Sequence, residues 1–239
     1  MKTQLGTWMS IGSPIIAELA AQCGFDWLLL DLEHGCGTEA TVLPMLQAIR
    51  GTSTAAIVRV GAPHPDLIAR VLDWGAHGIM VPHVHSAEEA ARIVQATRYA
   101  PHGHRGYSRT VRANDYGLHP LEEVRPPVVM AQIETVEGVS HAADIARVDG
   151  VDVLFIGPAD LQHDLKHRAA SAPGDYAHCL RHVVAAAQEA GKQTGILIRD
   201  LADLTHHRDL GLTHIAVDSD FAILRKSYLH TVSSTKQTP

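Results

Sequence analysis

The sequence predicts an α/β fold, a (β/α)8 TIM barrel forming a single domain over residues 1–239, on three observations. Eight short runs of apolar and β-branched residues recur along the chain, and each is followed by a longer segment with helical periodicity. The runs lack strict polar–apolar alternation, as parallel strands covered by helices should. Eight such units in a chain of this length close naturally into a barrel. The competing arrangement is a doubly wound open sheet, but no Gly-rich dinucleotide turn follows the first run.

Taken in order, the strand runs are residues 7–11, 27–31, 55–60, 78–81, 128–133, 153–156, 195–198 and 214–217. The helical stretches are 14–22, 39–50, 64–74, 87–97, 136–146, 176–190, 201–210 and 221–229. Ser13 before Pro14, and Ser86 before "AEEAARIV", are the residue types that cap a helix start. Gly24, Gly51, Gly75, Gly191 and Gly211 sit just past helix ends, where a left-handed residue is wanted. The longest irregular piece, 101–120, exceeds a plain connection and is expected to be functional.

Composition narrows the class. Hydrophobic residues make up 46% and charged residues 19%, which describes a globular chain able to bury a large core. A formal charge of −6 with no basic run argues against nucleic acid as a partner. No apolar run approaches the roughly 20 residues of a membrane span, and the N-terminus lacks the apolar core of a signal peptide. Cys23, Cys36 and Cys179 are odd in number and far apart, which suits reduced thiols in the cytoplasm. The 17 histidines include pairs such as His83 with His85, His102 with His104, and His206 with His207. Without a carboxylate or cysteine partner these pairs are weak metal signals and read as surface residues.

In a barrel of this kind the chemistry lies at the C-terminal ends of the strands. Those ends supply Asp31, Glu33 and His34 after the second run, Arg59 in the third, Gln132 and Glu134 after the fifth, and Gly157, Pro158, Ala159 and Asp160 after the sixth. Glu134 and Asp160 follow adjacent strands and can converge on a hard divalent cation such as Mg2+ or Mn2+, with Co2+ as a third candidate. Helix capping by the same two acids is the competing reading. The Arg59 fork could hold a carboxylate or oxyanion, or pair with a rim acid. His34 close to Asp31 has the chemistry of a base whose tautomer a carboxylate holds. None of the five lysines falls at a strand's C-terminal end, so a Schiff-base mechanism lacks its amine. A Gly-x-Ser-x-Gly elbow is absent, and Cys36 reads as incidental.

Six segments, "GFDWLLLDLEHG", "GAHGIMVPHVHSAEEA", "ATRYAPHGHRGYSR", "AQIETVEGV", "GVDVLFIGPADL" and "GKQTGILI", make the chain resemble the HpcH/HpaI family of metal-dependent pyruvate aldolases over nearly its whole length. The resemblance implies a trimer or a hexamer of two trimers, with the last helix exchanged between subunits. It implies a divalent metal on Glu134 and Asp160, chelated by pyruvate, and no organic cofactor. It makes His34, paired with Asp31, the base, and puts Arg59 on the keto oxygen, with the Pro158, Ala159 and Asp160 segment holding the carboxylate. Gln132, Arg105 and its loop, and an apolar wall of Trp8 and Leu197 are implied to line the site. Glu33 is expected behind the metal's water.

The activity implied is reversible cleavage of 4-hydroxy-2-oxo acids to pyruvate and an aldehyde. The alternatives are an acyl-CoA lyase of the malyl or citramalyl type and an oxaloacetate decarboxylase. The chain departs from many members after "GPADL", at Arg199 and Asp200, and at "RGYSR", which leaves the aldehyde partner open.

Overall fold

A computed structural model describes residues 2–118 and 126–236, and within them the strands close into one parallel barrel. The strands are β1 (Gln4–Met9), β2 (Trp27–Asp31), β3 (Ala55–Arg59), β4 (Gly78–Val81), β5 (Val128–Ile133), β6 (Val153–Ile156), β7 (Gln193–Ile198) and β8 (His214–Ser219). Each pairs with the next, and β1 closes on β8. The helices are α1 (Pro14–Gln22), α2 (Glu39–Ile49), α3 (Pro65–Asp73), α4 (Ala87–Thr97), α5 (Val136–Ser140), α6 (Ala142–Arg147), α7 (Pro158–Arg168), α8 (Tyr176–Glu189), α9 (Leu204–Asp209) and α10 (Asp220–Lys236). The capping expectations hold, since Ser13 accepts from the Ile16 amide and Ser86 from the Glu89 amide.

The boundaries differ from the sequence reading in three informative places. The stretch 136–146 is two short helices, α5 and α6, that meet at His141. The stretch 201–210 opens with a 3-10 turn, Leu201–Asp203, before α9. Helix α7 has no counterpart in the periodicity, because only Leu161 is buried along "PADLQHDLKHR" and no apolar stripe forms.

Alternate strand residues separate two apolar layers. Leu28, Leu30, Val58, Ile79, Val81 and Ile156 face the helices. Trp8, Trp27, Leu29, Ile57, Met80, Met130, Val153, Phe155 and Ala216 fill the barrel itself. The Trp8, Trp27 and Phe155 rings meet edge-on or tilted, with centroids 5.5–6.2 Å apart. Two glycines make room for them. A Cβ on Gly6 would collide with the Trp27 indole, and one on Gly195 with the Phe155 ring.

Strand β8 carries an irregularity that shapes the rim. Gly6 pairs with Ala216 but Trp8 pairs with Ser219, so β8 holds one extra residue, and Asp218 there has φ of 57°. Just beyond, the Asp220 carboxylate accepts from the backbone amides of Ser10 (2.9 Å) and Ile11 (3.0 Å), tying the end of β8 to the end of β1.

His214 begins β8 inside this frame, and burial pushes its imidazole down to about 4 against the opposing pull of Asp26. The unfolded chain therefore binds the proton more readily between pH 6.5 and 4, and stability must fall as pH falls through that window. His214→Asn should remove about 3 kcal/mol of the loss between those two pH values, read from urea unfolding of both proteins. Equal losses in the two proteins would mean that His214 is not held neutral.

Candidate active site

The sheet register sets Asp31, the last residue of β2, beside Arg59, the last of β3. Arg59 Nε donates to Asp31 Oδ1 at 2.9 Å and Nη2 donates to Oδ2 at 2.7 Å, while Nη1 lies 2.7 Å from Glu33 Oε2. The three side chains are 7%, 1% and 12% exposed, so this is a desolvated cluster. Burial by itself would lower the guanidinium pKa, but the Asp31 bond and the charges of Asp31, Glu33 and Glu134 outweigh it and raise the pKa. The Trp8 ring packs under the guanidinium, with 5.6 Å from Arg59 Cζ to its centroid.

Asp31 does not pair with the His34 ring, which corrects the expected tautomer-holding contact. Both Asp31 oxygens take the Arg59 fork, and Oδ1 also accepts from the backbone amides of Glu33 (3.0 Å) and His34 (3.3 Å). Asp31 thus fixes the turn that carries His34, not its imidazole. The carboxylate beside the His34 ring is Glu33, with Oε1 3.8 Å from Nε2, and the His34 side chain is 71% exposed at the mouth.

Glu134 follows β5 and is 2% exposed. Its Oε1 accepts from the His83 amide at 2.9 Å, and His83 Nδ1 lies 3.3 Å away. Burial pushes its pKa up; the His83 bond and charge oppose this, and the charges of Asp160 and Glu33 add to it. A carboxylate so placed has strong reason to take a positive partner.

A pocket of about 430 Å³ opens over these groups. Of the anticipated residues, Trp8, Asp31, His34, Arg59, Gln132, Pro158, Ala159, Asp160 and Leu197 line it. Glu134 lies beneath the wall, against Gly157, whose absent side chain is required because a Cβ there would collide with Glu134 Oε2. Gly157 caps α7, so the amides of Ala159 and Asp160 fall in its first turn and have no intrahelical acceptor.

Among the described residues, no three of His, Cys, Asp and Glu come together as a closed metal cage. What is present is the pair Glu134 and Asp160, with Gln132 Oε1 buried and unpartnered nearby. Two carboxylates and an unpartnered carbonyl oxygen form a hard donor set that leaves positions for water and substrate. That fits Mg2+ or Mn2+ better than a softer metal.

Arg105 is a correction. Its guanidinium bonds Asp73, packs over Tyr99 at 4.8 Å and does not line the pocket. The reason is topological. The segment after α4 leads into the start of β5, and Asp73 ends α3, so both lie at the opposite end of the barrel from the strand C-termini. The last two residues of the 101–120 segment lie outside the described residues.

The sequence reads His83, paired with His85, as a surface residue without a carboxylate partner, but the structure sets its half-exposed ring against two carboxylates. The residue has φ of 52° and lies between Glu134 and Glu33, with Nε2 3.8 Å from Glu33 Oε1. Its position two residues beyond β4 was the available signal, since every other acid or base of the cluster also stands at or just past a strand end. Asp218 and Asp220 were missed too, because nothing in the periodicity of 214–221 marks them.

Comparison with known proteins agrees with this architecture. Residues 4–227 match the family model described as HpcH/HpaI aldolase/citrate lyase. A 5-keto-4-deoxy-D-glucarate aldolase of Klebsiella pneumoniae is 37% identical over 229 residues, covering 95% of this chain and 90% of that protein. A crystal structure of a family protein from Burkholderia cenocepacia superposes with a TM-score of 0.91 at 33% identity, covering 99% of this chain and 95% of that one. The citrate synthase SbnG superposes with a TM-score of 0.84 at 29% identity, over 99% and 94% of the two chains. The chain belongs to the HpcH/HpaI aldolase/citrate lyase family.

Proposed function

We propose that the chain is a divalent-metal-dependent aldolase that reversibly cleaves 4-hydroxy-2-oxo acids to pyruvate and an aldehyde. The observation that carries this reading is the buried Arg59 guanidinium, held by Asp31 and Glu33 beside the desolvated Glu134 carboxylate. It is a carbon–carbon lyase, as its curated relatives are named aldolases.

In the cleavage direction the C3–C4 bond breaks and its electron pair stays on C3 as the enolate of pyruvate. The C4 hydroxyl gives up its proton and becomes the aldehyde, and C3 then takes a proton to complete the methyl group. Glu134 and Asp160 would hold the cation, which when bound supplies Lewis acidity toward the keto oxygen. Arg59 adds a fixed positive group where the enolate oxygen develops charge, and it needs no reorganisation because Asp31 already orients it. The free amides of Ala159 and Asp160 suit the substrate carboxylate. His34, raised at the mouth on the turn that Asp31 fixes, is placed to move the proton, with Glu33 beside its ring. Trp8 and Leu197 form the apolar wall over which the keto acid lies.

The wider expectations fit the surface. Helix α10 exposes Phe221, Ile223, Tyr228, Leu229 and Val232, and α1 exposes Ile15 and Leu19. These are faces that exchange of the last helix in a trimer or hexamer would cover. The three cysteines are free thiols and, among the described residues, no helix is long and apolar enough to cross a membrane; a cytoplasmic setting is the reading they support. The whole chain then acts as one catalytic unit with small-molecule partners.

Two outcomes test the chemistry. Treatment with a chelator should abolish cleavage of a 4-hydroxy-2-oxo acid, and added Mg2+ or Mn2+ should restore it; cleavage that survives thorough chelation removes the metal from the account. His34→Ala should slow cleavage by about 100-fold or more, in line with the loss of a general base, while leaving thermal unfolding unchanged because the ring is exposed. A variant that keeps its rate assigns the proton to another group.

A further inference from the structure

Two histidines on the outer face of α7 stand apart from the groups over which the pocket opens. Leu161 is buried on this helix and Leu165 packs against the core, while His163 and His167 lie on the opposite side and are exposed. Their four-residue spacing sets the two side chains one turn apart on one face. The ring centroids are 4.8 Å apart, with the planes inclined at 58°. Two imidazoles sharing one ion, each with a nitrogen about 2.0–2.1 Å from it, place their centroids about 4.5–5.2 Å apart for ligand angles of about 90–110°. The pair already has that spacing. Among the described residues, neither ring has a hydrogen-bond or ion-pair partner, so their nitrogens are uncommitted. The acid between them, Asp164, is taken: it accepts from the Val136 amide at 2.8 Å and pairs with Arg168 Nε at 3.1 Å. The same spacing on α8 gives a different result. His178 and His182 have centroids 6.4 Å apart and rings inclined at 18°, too far apart for one ion as they stand.

We propose that His163 and His167 form a second metal site, a surface chelate for one borderline divalent transition metal such as Zn2+, Ni2+ or Cu2+. Imidazole nitrogen suits these ions, whereas the Mg2+ or Mn2+ read for Glu134 and Asp160 wants oxygen. The two sites therefore sort metals by donor chemistry along one helix, since Asp160 stands in the first turn of α7. No third His, Cys, Asp or Glu completes a cage among the described residues, which leaves the remaining positions to water. An ion held here bridges successive turns of α7, and the helix is thinly anchored, with Leu161 its only buried side chain. The bridge resists fraying of the helix whose first turn carries the Ala159 and Asp160 amides. The inference stands on this pair alone and does not depend on the aldolase reading.

The test is Ni2+ binding by calorimetry, with saturating Mg2+ present to occupy the carboxylates. It uses a Cys23→Ser, Cys36→Ser background, which removes the exposed thiols as competing ligands. One Ni2+ per chain should bind, and His163→Gln and His167→Gln should each weaken it by about tenfold or more, because a chelate becomes a single ligand. His178→Gln should leave it unchanged. Both histidines of the pair are exposed, so the variants should fold as the unaltered protein does. Ni2+ should also raise the thermal unfolding temperature, and that rise should vanish in His167→Gln, as preferential binding to the folded state requires. Unchanged affinity in both variants puts the ion elsewhere among the 17 histidines and overturns the site. A loss in only one variant marks a single histidine and overturns the chelate. Binding that leaves the unfolding temperature where it was removes the bridge across α7.

Discussion

The bidentate pair between Asp31 and Arg59 is the interaction on which the rest of the site depends. It sits at the ends of adjacent strands, 1% and 7% exposed, where an unpaired charge would be costly. Removing one member of such a pair typically costs about 3–5 kcal/mol, because the other is left buried and charged. That cost explains the company the pair keeps. Glu33 closes on the third guanidinium nitrogen, Trp8 packs beneath it, and the Glu33 and His34 amides complete the Asp31 carboxylate. A charge held so firmly is useful for chemistry only if substrate can reach it, and the pocket opens directly over it.

The cluster is arranged as opposing charges, with carboxylates in excess on the Glu134 side. Arg59 offsets Asp31 and Glu33 and, more weakly, Glu134; the Glu134 carboxylate accepts from the His83 amide beside the His83 ring, and the Asp160 charge raises its proton affinity further. A divalent cation would satisfy the second half as Arg59 satisfies the first. Gly157 lets the start of α7 lie against Glu134, since any side chain there would displace the Glu134 carboxylate. The barrel contributes the same logic at larger scale, with Gly6 and Gly195 admitting the aromatic rings that fill its centre.

Much of this was legible in the sequence for a physical reason: in a parallel barrel, strand ends converge, so polar residues at those ends must meet. That rule found Asp31, Arg59, Glu134 and Asp160 without any knowledge of side-chain geometry. It could not say which of two neighbours a carboxylate would choose. Proximity in sequence pairs Asp31 with His34, whereas the guanidinium across the register offers two parallel bonds and wins. The resemblance puts Arg105 at the site, but a segment between a helix and the next strand lies at the far end of the barrel. The roles of His83 and Asp218 depend on a left-handed turn and a bulge, and helix α7 buries only Leu161, so none of the three leaves a periodic trace.

The central claim is that Arg59, oriented by Asp31, stabilises the enolate of pyruvate. The most direct measurement is the rate at which deuterium enters the pyruvate methyl group with no aldehyde present, compared between the unaltered protein and Arg59→Lys. Lysine keeps the charge but not the fork, so the account predicts a fall of about 100-fold or more, the scale of losing one oriented donor to a developing oxyanion. An Arg59→Lys protein that is folded and exchanges at the unaltered rate would contradict it.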